Sequence, residues 1–78
     1  MESQINQHIT IDSEVCEGNP VFKGTRIMVW QVLELLGQGV SIDEIREDYF
    51  PQLSKEAILS VFVYASKLIG EEKYVLLK

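Results

Sequence analysis

The stretch "GNPVFKGTRI", Gly18 to Ile27, sets two glycines and a proline around a pair of apolar residues and then runs Thr-Arg-Ile straight off the second glycine. Three readings compete for it: a phosphate-cradling loop, a basic finger for nucleic acid, or a tight turn between strands. The phosphate loop fails on spacing. Gly18 and Gly24 stand too far apart with Pro20 between them, Gly24 is followed by Thr-Arg rather than Lys-Ser/Thr, and no helix opens on the loop. Turn chemistry fits better, because glycine tolerates the positive φ that a tight reversal demands. Gly18, Pro20 and Gly24 are therefore structural turn residues, and Val21-Phe22 and Thr25 to Met28 are expected to fold back on each other as short strands. Upstream, "HITID" from His8 to Asp12 alternates, with Ile9 and Ile11 on one face, and adds a further strand. Residues 1–7 are polar and expected to fray.

From Val29 the apolar period changes from 2 to 3.6. Val29, Trp30, Val32, Leu33 and Leu36 form an arc, with Gln31, Glu34 and Gln38 opposite. Gly37 and Gly39 close this first helix. Ser41, with Glu44 three residues on, reads as a capping box that opens a short second helix. That helix carries Ile42, Ile45 and Tyr49 on one side and stops before Pro51. Ser54 caps a third helix, whose apolar run reaches Ile69 and is closed by Gly70. On this helix Ala57, Ile58, Val61, Phe62, Tyr64, Ala65, Leu68 and Ile69 share one broad arc. Leu59 and Val63 intrude on the polar side, one turn apart, and are the candidate dimer or partner interface. Residues 71–78 alternate loosely, as a strand or an extended arm.

The expected architecture is a single domain over 1–78: mainly α with a small N-terminal β region at 8–28, three helices over 29–70 and a tail at 71–78. A short helix, a turn centred on Pro51 and a longer helix place a helix-turn-helix pattern at 41–69. A chain of 78 residues has room for one small core and usually needs a staple, a metal or a partner. The lone cysteine, Cys16, excludes an internal disulfide, and with a single histidine, His8, there are too few soft ligands for structural zinc. No cofactor motif is present, so elimination leaves a homodimer as the source of extra stability. No basic leader precedes an apolar core, and no apolar run approaches the roughly 18 residues of a membrane span. A cytoplasmic protein without membrane contact is expected, which a lone cysteine suits.

A net charge of −5 argues against a broad electrostatic grip on nucleic acid. Positive charge survives in two places, the quoted stretch and the third helix. The candidate DNA contacts are accordingly Lys23 and Arg26 from the hairpin and Ser54, Lys55, Ser60 and Lys67 from the third helix. A hairpin tip can touch the backbone while a helix enters the major groove. Pairing of Arg26 with the acidic helix, Asp43 to Asp48, is the competing and slightly favoured role for that side chain. Catalysis finds little to work with: His8 and Cys16 are the nearest approach to a base and nucleophile, and nothing supplies an orienter or an oxyanion hole. Asp43, Glu44, Glu47 and Asp48 read as a solvated helix face and lack the aspartate-rich loop that calcium requires. No enzymatic activity is expected.

The pattern "ITID…VCEGNPVFKGTRIMVWQVLELLGQGVSIDEIREDYFPQLSKEAILSVFVYAS" resembles the domain-of-unknown-function family 433 over about Ile9 to Ser66. Its most specific parts are Gly-x-Pro-x-x-x-Gly-Thr-Arg-Ile at 18–27, Gly39-x-Ser41, and Leu53-Ser54. The resemblance implies a homeodomain-like or winged-helix-like helix-turn-helix fold behind an amino-terminal hairpin. It also implies an antitoxin-like role: binding a cognate PIN-like nuclease toxin and repressing its own operon through operator DNA. It implies no catalytic residue. The alternative is a protein-interaction module with the same fold that does not bind DNA, and an acidic surface suits a basic nuclease partner.

Overall fold

A three-stranded antiparallel sheet leads the chain in a computed structural model that describes residues 2–76, with side chains described as far as Gly70. Its strands are β1 (Glu2–Gln4), β2 (Ile9–Asp12) and β3 (Val21–Phe22), in that spatial order. The register pairs Ser3 with Ile11 and Ile9 with Phe22. β1 lies where fraying was expected. All three of its residues are exposed, so main-chain pairing to β2 rather than side-chain burial holds this edge strand. Asn6 secures the intervening turn: its Oδ1 accepts from the His8 and Ile9 amides (2.8 and 3.0 Å).

Between β2 and β3 the backbone turns left-handed at Cys16, Glu17 and Gly18 (φ 48°, 58° and 81°). For the two non-glycine residues this costs about 1–2 kcal/mol each. Asn19 offsets part of that cost by donating both its amide N–H (3.1 Å) and Nδ2 (2.9 Å) to the Cys16 carbonyl.

After β3 the chain reverses through Gly24 (φ 77°), but Thr25–Met28 does not become the expected third limb of a ladder; it keeps one bridge, Val21 to Met28. Thr25 explains the difference. Its hydroxyl donates to the Phe22 carbonyl (2.8 Å) and accepts from the Ile27 amide (3.0 Å), taking over groups that a ladder would use.

The three helices fall where the sequence placed their beginnings. α1 (Val29–Gly37) opens with Gln31 Oε1 accepting the Met28 amide (3.0 Å). It ends in a Schellman arrangement: Gly39 is left-handed (φ 92°), its N–H reaches the Leu36 carbonyl (3.1 Å), and the Val40 N–H reaches that of Leu35 (3.0 Å). The capping box at Ser41 and Glu44 forms in both directions (3.1 and 3.2 Å) and starts α2 (Ile42–Glu44). α2 then widens into a π turn over Ile45–Tyr49, closed by the Phe50 amide on the Ile45 carbonyl (2.7 Å). Ser54 Oγ accepts the Ala57 amide (3.1 Å) at the start of α3 (Lys55–Leu76). α3 continues through Gly70, so residues 71–76 are helical rather than strand or arm; Lys78 and its neighbour Leu77 lie outside the described residues, as does Met1.

The core gathers Ile9 and Phe22 from the sheet, Ile27, Val29 and Val32 around α1, Ile45 and Leu53 around the π turn, and Ala57, Ile58 and Val61 from α3. Fully burying such a side chain is worth about 1.5–3 kcal/mol. Two predicted arcs are narrower than expected. On α1, Trp30 and Leu33 point outward while Leu35 and Leu36 pack on the core; on α3, Phe62, Leu68 and Ile69 are exposed. Leu68 and Ile69 lie where the partner layer has ended: among the described residues Tyr64 is the last of α3 to pack on the core, and every residue from Ser66 to Gly70 is exposed, whereas Phe62 stands at the edge of the arc beside the buried Val61. A radius of gyration of 13.3 Å, against about 11.5 Å for a close-packed chain of this length, fits a helix that outruns its domain. Among the described residues no helix is long and apolar enough to cross a membrane.

Candidate functional site

The predicted DNA contacts separate into groups. Lys23 and Ser54 come together: with Gln7, His8, Thr25 and Gln52 they line a cavity of about 290 Å³ at the amino end of α3. The Lys23 amide donating to the His8 carbonyl (2.8 Å) holds the two side by side. Lys55 follows on the exposed first turn of α3. Ser60 is turned inward instead: its hydroxyl donates to the Ala57 carbonyl (2.6 Å), and its own carbonyl accepts from Asn6 Nδ2 (3.5 Å). Lys67 stands on α3 about 18 Å farther along the axis than Lys55.

Arg26 belongs to a different surface. It lines a cavity of about 360 Å³ with Glu2, Thr10 and Asp12, rather than meeting the carboxylates of α2. The Glu14 amide donates to Asp12 Oδ1 (2.9 Å), and this hydrogen bond to the charged form holds the carboxyl below its ordinary range. Arg46, within the π turn itself, is directed away to the turn before α3, where its Nε donates to the Leu53 carbonyl (3.1 Å).

His8 and Cys16 part company. His8 faces the Lys23–Ser54 cavity, whereas the Cys16 thiol donates to the Arg26 carbonyl (3.6 Å). Asp43, Glu44, Glu47 and Asp48 are all exposed, and no group of three or more His, Cys, Asp or Glu side chains among the described residues is placed to hold a metal ion.

Two apolar surfaces stand out more clearly than the basic ones. Along α3 exposed Leu59 is followed three and four residues on by exposed Phe62 and Val63, and exposed Ile69 stands two turns past Phe62, so the four share an arc of about 120°. Phe62 is 46 % exposed and Ile69 65 %. The predicted pair, Leu59 and Val63, is thus part of a longer stripe. The expected core arc includes Phe62 and Ile69: helical periodicity reports which face is apolar, but neither how wide the covered part of that face is nor how far the neighbouring layer extends. The second surface is a groove of about 250 Å³ between α1 and the π turn, with Trp30, Leu35, Tyr49 and Phe50 on its walls and Glu34 at its edge. Tyr49 was expected to share a face with Ile45. In the π turn it is Phe50, bonded through its amide to the Ile45 carbonyl, that packs on the core above the fully buried Ile45, while Tyr49 is 50 % exposed.

No curated protein and no solved structure matches this chain. A family model does, over residues 9–65, and its span takes in β2, the 18–27 stretch, both capping serines and the buried half of α3. With about three quarters of its length matched, the chain belongs to the family described as protein of unknown function, DUF433.

Proposed function

We propose that this chain is a small interaction protein of the antitoxin kind, acting as a homodimer that binds a protein partner. The observation that carries the reading is the apolar outer stripe of α3: Leu59, Phe62, Val63 and Ile69. Their exposures sum to about two whole side chains. At roughly 150–200 Å² for a large side chain, toward the lower end of the aromatic range, this is on the order of 300–400 Å² of apolar surface along one long helix. A stable interface buries about 800 Å² per partner, a little over half of it apolar, so the stripe is close to what one side of such an interface needs. The α3 segment is also net positive within an acidic chain, with Lys55, Glu56 and Lys67 as its ionised groups up to Gly70. Two copies meeting there avoid the repulsion that the α2 face would impose.

The finer features follow the same line. α2, the Phe50–Ser54 turn and α3 form the helix-turn-helix element at 41–69, and the partner that the resemblance implies is a PIN-like nuclease toxin. Sedimentation velocity tests the reading: wild type is expected to sediment as a dimer at micromolar concentration and Leu59→Asp as a folded monomer. Identical profiles for the two would overturn it.

Operator DNA is a second reading, favoured by Lys23 and Ser54 meeting at one cavity beside His8. The expected result is binding to the chain's own promoter that weakens steeply with added salt, as phosphate contacts require. A folded protein that fails to bind at low salt would leave the interaction module without DNA.

A further inference from the structure

The groove between α1 and the π turn has a chemistry of its own. Trp30 and Tyr49, each half exposed, stand on its walls, with Phe50 and Leu35 partly buried beneath them. Both elements create it by local rules. The Phe50 amide closes on the Ile45 carbonyl (2.7 Å), and Phe50 packs on the core while Tyr49, its neighbour, is exposed. On the facing wall, the Trp30 indole N–H donates to Met28 Sδ (3.3 Å). The indole's one donor is thereby occupied within the chain, so the ring offers its apolar surface and its π face.

The surroundings are acidic. From Leu33 to Gln52 the chain carries Glu34, Asp43, Glu44, Glu47 and Asp48 against one base, Arg46. That base is turned toward the start of α3, with Nε on the Leu53 carbonyl (3.1 Å). Glu34 lines the groove itself, and Glu47 and Asp48 directly precede Tyr49 on the exposed side of the π turn.

Two exposed aromatic rings inside a negative field select for a cation carried on an apolar stem. Phosphate is repelled by the same carboxylates, which disfavours nucleic acid. A second copy, with its own net charge of −5, is disfavoured likewise. The volume, about 250 Å³, falls below the roughly 300–1,000 Å³ of small-molecule pockets and suits one or two side chains. We infer that this groove docks a basic amphipathic segment of a partner protein, with an arginine or lysine stacked against Trp30 and Tyr49 and an apolar neighbour seated over Phe50 and Leu35. Tryptophan, tyrosine and arginine are the residues that most often anchor interfaces. The inference rests on the interaction reading for the existence of a partner, gives that partner its chemistry, and uses no residue of α3.

The chain has a single tryptophan, and it sits in the groove, so its emission reports the site directly. The probe is a synthetic twelve-residue amphipathic peptide of leucine and arginine, with two controls in which every arginine is replaced by citrulline or by glutamate. With the full chain, the arginine peptide is expected to shift Trp30 emission saturably below millimolar concentration, and the two controls are not. Glu34→Lys and Glu47→Lys, each with unchanged far-ultraviolet circular dichroism, should weaken binding about five- to tenfold. Absence of a saturable shift, or equal shifts from arginine and citrulline peptides, would overturn the inference. So would an emission shift that follows protein concentration without peptide, which would mean a second copy in the groove, or one produced equally by duplex DNA. Sedimentation of the same samples reports the α3 dimer separately, so failure of the groove and failure of the dimer are told apart.

Discussion

Both halves of α3 carry apolar residues at helical spacing, in opposite surroundings. In the first, Ala57, Ile58 and Val61 close the core against the sheet, α1 and the π turn. In the second, Leu68 and Ile69 are exposed with every residue from Ser66 to Gly70, although they continue the same helix without a break. What changes between Val61 and Ser66 is the neighbour, since the layer that α3 packs on comes to an end. Apolar patterning therefore says that a helical face will be covered. The extent of the adjoining layer decides whether the chain itself can cover it.

The sharpest way to break this comparison is to truncate one residue from each half. Ile58→Ala should cost about 2–5 kcal/mol in denaturant unfolding, because it empties a fully buried site. Ile69→Ala, in dilute protein, should stay within about 0.5 kcal/mol of wild type. Similar losses at both positions would mean that the far half is packed after all. A smaller effect is expected at Gly70. Its φ is not positive and an added Cβ would meet no atom within 4 Å, so Gly70→Ala should raise helicity and stability by up to about 1 kcal/mol. A loss of stability there would restore Gly70 to the helix-closing role that its position in the sequence suggests.

Much of this architecture was legible from local chemistry. Ser41 with Glu44, Ser54, and Gly39 each announce a helix boundary through a hydrogen bond or backbone angle that those residue types supply almost uniquely, and each does so in the structure. Features that depend on distant neighbours were not legible in the same way. β1 has no apolar pattern of its own and exists through its pairing with β2. The π turn carries no signature in the local pattern, and Tyr49, expected on the inner face with Ile45, lines the groove. Thr25 is expected to start a strand, and instead its hydroxyl takes the Phe22 carbonyl and the Ile27 amide, leaving only part of the ladder. Of the candidate site, Leu59 and Val63 could be read because they break a polar face. Phe62 and Ile69 could not, because they lie on an arc that is buried one and two turns earlier. The scattered positions of Lys23, Arg26 and Lys67 likewise depend on how the hairpin and α3 are juxtaposed, which charge counting along the chain does not contain.

The central claim is that the outer stretch of α3 is completed by another subunit. Amide hydrogen exchange across a protein concentration series tests it most directly, since exchange reports local opening residue by residue. Amides from Ile58 to Val61 should be protected at every concentration, and those from Ser66 to Gly70 should gain protection as concentration rises through the micromolar range. Protection of residues 66–70 that is the same in dilute and concentrated protein would contradict the claim.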